Sequence, residues 1–292
     1  MDIVGIYEVF PTNDDCIAHL EKVRWGDKPK CPYCQSVKVT SRPKEKRHHC
    51  NNCNTSFSVT VRTIFHHTHL PLQKWFLAIT LVLNAKKGIA ARQLGRDLHV
   101  NKDTAWRMAM KIRDAMMERE QRTILQGLVE MDETYVGGKP RKGTGPHKRG
   151  RGTKKTPVVG MVERDKGKGK IKVEVIKNRK LDSKRLKSLV RKNVDIENST
   201  LFTDEYKGYL GIKTMMPHKV IDHSKWYVDG DVHTNTIESF WALLKRGIIG
   251  QYHKVSLGYL AKYIDEFSYR WNNRKTDSDD FFFSTLQRAV GG

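Results

Sequence analysis

Four cysteines stand in two pairs, Cys31-Pro32-Tyr33-Cys34 and Cys50-Asn51-Asn52-Cys53, with fifteen residues between the pairs. Each CxxC turn brings two sulfurs together, and two facing turns make the tetrahedral thiolate cage of one Zn²⁺. Two disulfides are the alternative reading of the same spacing, but the N-terminal MDIVGIYEVFPTNDDC has acids where a secretory signal needs an apolar run. Four protein ligands leave no open coordination position, so a zinc here is structural and any catalysis lies elsewhere in the chain. His48 and His49, beside Cys50, read as exposed polar residues, and Cys16 as a small buried apolar one.

A second chemistry is offered by acids placed at the ends of predicted elements. Asp132 ends a first strand, Asp204 ends a fourth, and Glu238 falls in the first turn of a helix opening near Thr234-Asn235. Carboxylates suit hard divalent cations, and a pair of such ions can serve both the attacking and the leaving oxygen of a phosphoryl displacement. Neighbouring acids compete for the assignment: Glu130 and Glu133 flank Asp132, Glu205 follows Asp204, and Glu238 also fits the last position of a capping box begun by Asn235.

Charge names the class of partner. Lys plus Arg number 54 against 32 Asp plus Glu, a net charge of +22 over 292 residues, which predicts attraction to a polyanion. The longest uncharged stretch, Trp75 to Ala85, is closed by Lys74 and Lys86 and is far shorter than the roughly 20 apolar residues of a membrane span, so the expectation is a cytoplasmic, nucleoid-associated protein. Eight Lys and Arg between Lys139 and Lys155, among them Lys148, Arg149 and Arg151, occur without an acid and among many glycines. That run reads as a phosphate-contacting loop or as a solvated one.

These groups need elements to position them. Leu72, Trp75, Phe76, Ile79 and Leu83 share one helical face. From Ile89 to Met117 two helices flank a turn at His99–Lys102, and the second, with Lys102, Arg107, Lys111 and Arg113 off its apolar stripe, fits either a DNA-reading helix-turn-helix or an ordinary hairpin. Beyond Leu128 the pattern becomes three strands, a helix over Ser183–Val194, strand STLFTD, strand HKVID, a helix over Thr236–Ile249 and a long helix over Ser256–Asn273. The fold class is therefore mixed α/β. Phe240 and Trp241 read as core, whereas Trp226 and Tyr227 fit base stacking or packing equally.

The segments MDETYVGG, LFTDEYKGY and VHTNTIESFWALLKRGIIGQYHKVS, with the closing YRWNNR, resemble the DDE transposases of prokaryotic insertion sequences. The resemblance is to the ISXO-like group, in which a zinc ribbon precedes a ribonuclease H-like core. It implies three domains: 1–68 with the ribbon, 69–122 with the helix-turn-helix, and 123–292 as the catalytic core carrying the basic loop 139–155. It implies Asp132, Asp204 and Glu238 as ligands of two Mg²⁺ or Mn²⁺ ions, with 33 residues between the last two acids. It also implies Lys245, seven residues beyond Glu238, as a grip on terminal phosphates, and His233 and Asn235 as groups near the scissile phosphate. The implied activity is cleavage at terminal inverted repeats and strand transfer into target DNA, by a homodimer or larger assembly on double-stranded DNA. Two other readings share the ribbon and the charge: a DNA-binding regulator on an inactive core, and a ribonuclease H-like structure-specific nuclease.

Overall fold

The computed structural model describes residues 1–117, 124–138, 153–165, 168–178, 180–221 and 234–291. They form two compact units, one of Met1–Met116 with Thr276–Gly292 and one of Met117–Lys275. The division differs from the 123–292 boundary read in the sequence. The last helix packs in the first unit, because its buried Phe282, Leu286, Ala289 and Val290 form an apolar stripe that the helices of that unit cover.

In the first unit, helices α1 (Ile3–Val9) and α2 (Asn13–Trp25) precede a small antiparallel sheet of β1 (Val39–Arg42), β2 (Arg47–Cys50) and β3 (Thr55–Phe57). Thr12 and Asp15 close a reciprocal capping box at the start of α2. Then come α3 (Leu72–Asn84), α4 (Ala91–Asp97) and α5 (Lys102–Met116), and the unit ends with α9 (Ser278–Val290). The predicted face of α3 is buried throughout: Leu72, Trp75, Phe76, Ile79 and Leu83 are all under a tenth exposed. Between α4 and α5 the chain turns so tightly that a Cβ on Gly95 would stand 2.9 Å from the Val100 carbonyl oxygen. Asn101 caps α5 by accepting from the Thr104 amide at 2.8 Å.

The second unit is built on a five-stranded sheet of order β6-β5-β4-β7-β8. Strands β4 (Leu125–Val136), β5 (Thr156–Glu163) and β6 (Ile171–Val175) form an antiparallel meander. Helix α6 (Ser183–Asn193) crosses to β7 (Val194–Thr203), which runs parallel to β4, and β8 (His218–Val220) runs parallel to β7. This is the ribonuclease H-like arrangement of mixed strands. Helices α7 (Asn235–Arg246) and α8 (Leu257–Asn272) complete the unit. Alternation splits β5 between two cores: Val159 and Met161 pack with α6, and Val158 and Val162 pack with α7 and α8. A strand apolar on both faces is the expected signature of a central position in a covered sheet.

Candidate functional site: an acidic cluster and a cysteine cage

Asp132 is not at the end of its strand, as the sequence suggested, but four residues before it, because β5 goes on pairing with β4 as far as Val136. What ends there is the other neighbour. The parallel register between β4 and β7 runs to Glu130 opposite Phe202, and β7 stops at Thr203. Asp204, the next residue, lies past the end of its strand beside Asp132. Carboxylate oxygens of Asp132, Glu133 and Asp204 all lie within 4.8 Å of one another. The gap left by β7 admits acids from both faces of β4, so adjacent Asp132 and Glu133 reach one cluster.

Each acid is held from its own side. Asp204 turns back to accept from the Tyr206 amide at 3.1 Å, and Glu133 accepts from the buried Tyr209 hydroxyl at 2.6 Å. Asp132 accepts from the Trp241 indole N–H at 2.9 Å. Burial first, and then the charges of Glu133 and Asp204, push the Asp132 carboxyl up to about 7. Three carboxylates crowded this way repel one another, and a divalent cation relieves that repulsion while taking the oxygen ligands it prefers. The donor set therefore fits a hard divalent cation.

Trp241 reaches the cluster because β5 carries Gly160 directly opposite Asp132. A Cβ there would lie 2.8 Å from Ile237 and from the Trp241 ring, so the glycine sets how closely α7 can approach the sheet. Glu238 is exposed in the first turn of α7, three residues before Trp241 and thus its neighbour on the helix surface. Its Oε1 accepts from the Thr234 hydroxyl at 3.0 Å. Among the described residues the tight cluster contains Glu133 rather than Glu238. Sequence reasoning left Glu133 as one of several neighbouring acids; nothing in the alternation singles it out, since it faces away from Asp132.

In the ribbon, Cys31 Sγ lies 3.6 Å from Cys53 Sγ and Cys34 Sγ 3.6 Å from Cys50 Sγ, and all four thiols are free. Tetrahedral bonds of about 2.3 Å place sulfurs about 3.8 Å apart, so the cage fits zinc. A hydrogen bond from the Ser36 backbone draws the Cys34 thiol down to about 6, toward the thiolate that a metal needs. His48 corrects the sequence reading: it is 4% exposed, bonded to Glu21 and packed against Trp25 and Phe57, because β2 turns it into the ribbon core. Cys16 is buried as expected, and burial pushes its thiol up to about 12.

Comparison with known proteins follows the same two regions. The family model of the ISXO2-like transposase domain matches residues 124–272, about half of the chain. This chain belongs to the ISXO2-like transposase family. The transposase zinc-ribbon domain matches residues 11–56. A Halobacterium salinarum relative, described as an uncharacterized protein in transposable element ISH50, is 29% identical over 268 residues, covering 86% of this transposase and 88% of the relative. Two Mos1 structures are distant likenesses that add nothing to the assignment. The strand transfer complex has a TM-score of 0.27 and 11% identity, covering 73% of this chain and 78% of that one. The pre-cleavage transpososome has a TM-score of 0.28 and 12% identity, covering 98% and 96%.

The basic residues of this transposase divide on inspection. Lys102 and Arg107 are exposed on α5. Lys111 instead donates to the His66 carbonyl at 2.9 Å beside the Trp75 ring. Arg113, expected on the outer face, is 1% exposed, because that side of α5 is covered by the other helices of its unit. Lys245 is exposed in the last turn of α7, two turns beyond Glu238, and Asn235 is exposed at its start. His233, Trp226, Tyr227, Lys148, Arg149 and Arg151 lie outside the described residues, as does most of the loop 139–155. No described helix is long and apolar enough to cross a membrane.

Proposed function

We propose that this transposase binds the inverted repeats at the ends of its element, cuts the DNA there, and joins the freed 3′-hydroxyl to target DNA. The observation that carries the reading is the convergence of Asp132 and Asp204 in a chain of this family, with Glu238 on the helix that Trp241 ties to Asp132. Asp132, Asp204 and Glu238 would hold the divalent ions, and Glu133 is a further carboxylate at the same place. Bound there, the ions supply an activated nucleophile and offset charge on the phosphate oxygens. The chain's own groups supply position. Trp241 fixes the Asp132 oxygen, Tyr206 fixes Asp204, and Lys245 grips a phosphate along α7. Lys102 and Arg107 on α5 make phosphate or base contacts at the element end, supported by the basic run around Lys148, Arg149 and Arg151. The ribbon zinc holds the N-terminal sheet together, and two ends brought into one complex require at least a dimer on DNA.

The test is Asp204→Asn assayed on an oligonucleotide carrying an element end. Cleavage should fall by at least 1,000-fold in Mg²⁺ while DNA affinity stays within about threefold, an order set by the loss of metal-borne charge stabilisation. Undiminished cleavage refutes the reading; cleavage of branched DNA without strand transfer would mark a repair nuclease instead.

A further inference from the structure

Helix α7 starts in an unusual way. A helix cap residue ordinarily accepts from the amide two or three residues on, and Thr is a favoured cap. Thr234 occupies the cap position of α7, yet its side chain makes no capping bond. The amide three residues on, that of Ile237, donates instead to Glu130 Oε2 at 2.9 Å, a carboxylate from strand β4. Glu130 is fully buried, and its other oxygen accepts from the Arg164 side chain. The Thr234 hydroxyl, not needed as a cap, donates to Glu238 Oε1.

Buried ion pairs contribute little net stability compared with apolar residues of the same shape, so what Glu130 supplies is direction. A carboxylate also suits the positive end of a helix dipole. Glu130 and Asp132 lie two residues apart on the same face of β4. Together they clip α7 at Ile237 and at Trp241, one helical turn apart, on either side of Glu238.

We propose that Glu130 is a positioning residue for Glu238: it caps α7 from the neighbouring strand, so that the Thr234 hydroxyl bonds and orients the Glu238 carboxylate instead of capping the helix. The proposal rests on the reading of Glu238 as a metal-binding acid. Without Glu130, Thr234 returns to the ordinary capping role and lets Glu238 go.

The test uses the full chain with its zinc retained, titrated with Mn²⁺ and followed by the electron paramagnetic resonance of the free ion. The variant Glu130→Met/Arg164→Met removes both charges and so leaves neither orphaned. Its Mn²⁺ dissociation constant should rise on the order of tenfold, the effect typical of losing a group that orients a ligand, with DNA affinity unchanged. Thr234→Val alone should give the same rise, and the triple variant should show no further loss, because both routes act through one hydrogen bond. Wild-type Mn²⁺ affinity in Thr234→Val overturns the proposal, even if the paired variant fails to fold. So does a triple variant whose losses add. A wild-type chain that binds no Mn²⁺ and cuts no DNA overturns the metal-site reading itself, and the proposal with it.

Discussion

Replacing Asp132 by Asn should make the Mg²⁺-free protein more stable while abolishing its chemistry. Asn keeps the shape of the side chain and an oxygen to accept from the Trp241 indole, which in the wild type donates at 2.9 Å. It removes one of three crowded charges. Burial and the neighbouring acids raise the Asp132 carboxyl from 3.8 to about 7, and at about 1.4 kcal/mol per unit this corresponds to at most about 4 kcal/mol. The sign follows from proton counts. Below pH 4 the carboxyl is protonated in the folded and unfolded chains alike, and the variant has no advantage. Between pH 4 and 7 the folded chain keeps a proton that the unfolded chain has released, so wild-type stability falls as pH rises. The advantage of Asp132→Asn should thus grow across that window and level off above pH 7. Urea unfolding at a series of pH values, read by hydrogen exchange of peptides from β4 and α7, measures it. Adding Mg²⁺ at about 100 times its dissociation constant should restore about 2.7 kcal/mol to the wild type and nothing to the variant. Parallel stability curves for the two proteins from pH 4 to 8 would refute the claim that these acids strain one another.

Other outcomes follow from single contacts. Gly160→Ala puts a Cβ 2.8 Å from Ile237 and Trp241, so it should cost about 1–3 kcal/mol in urea unfolding and slow DNA cleavage by pushing α7 off β5; a neutral variant would show that the approach is slack. Cys50→Ser should lower zinc content from one atom per chain to none by elemental analysis and open residues 31–57 to protease, since the sulfurs and not a large core close the ribbon. Arg107→Ala should weaken DNA binding and reduce the salt dependence by about one counterion, whereas Lys111→Ala should lower stability with little change in DNA affinity, because its ammonium is committed to the His66 carbonyl.

Much of the fold was legible because its signals are local. The α3 face, the Asn101 cap of α5 and the short continuous apolar run of β5 each state their structure within a dozen residues. The cysteine cage was legible because two knuckles at that spacing have few other uses. What the sequence could not show depends on register. Asp132 owes its place to where β7 stops, and Glu133 joins the cluster through the same gap, a fact of pairing between strands more than 60 residues apart. Trp241 looked like core and is buried, yet its indole N–H serves Asp132, which only the glycine on the intervening strand permits. Lys111 and Arg113 were misjudged for a related reason: distant parts of the chain cover α5, since Lys111 meets the His66 carbonyl and the Trp75 ring and α9 returns to pack beside α5, and no local pattern announces these neighbours.

The central claim is that the acids gathered beside the end of β7 exist to hold divalent ions. Anomalous diffraction from crystals soaked in Mn²⁺ tests it directly. The account predicts a manganese peak bonded to carboxylate oxygens of both Asp132 and Asp204, absent from crystals of Asp204→Asn. A map with the zinc peak among the four cysteines and no manganese beside Asp132 would contradict it.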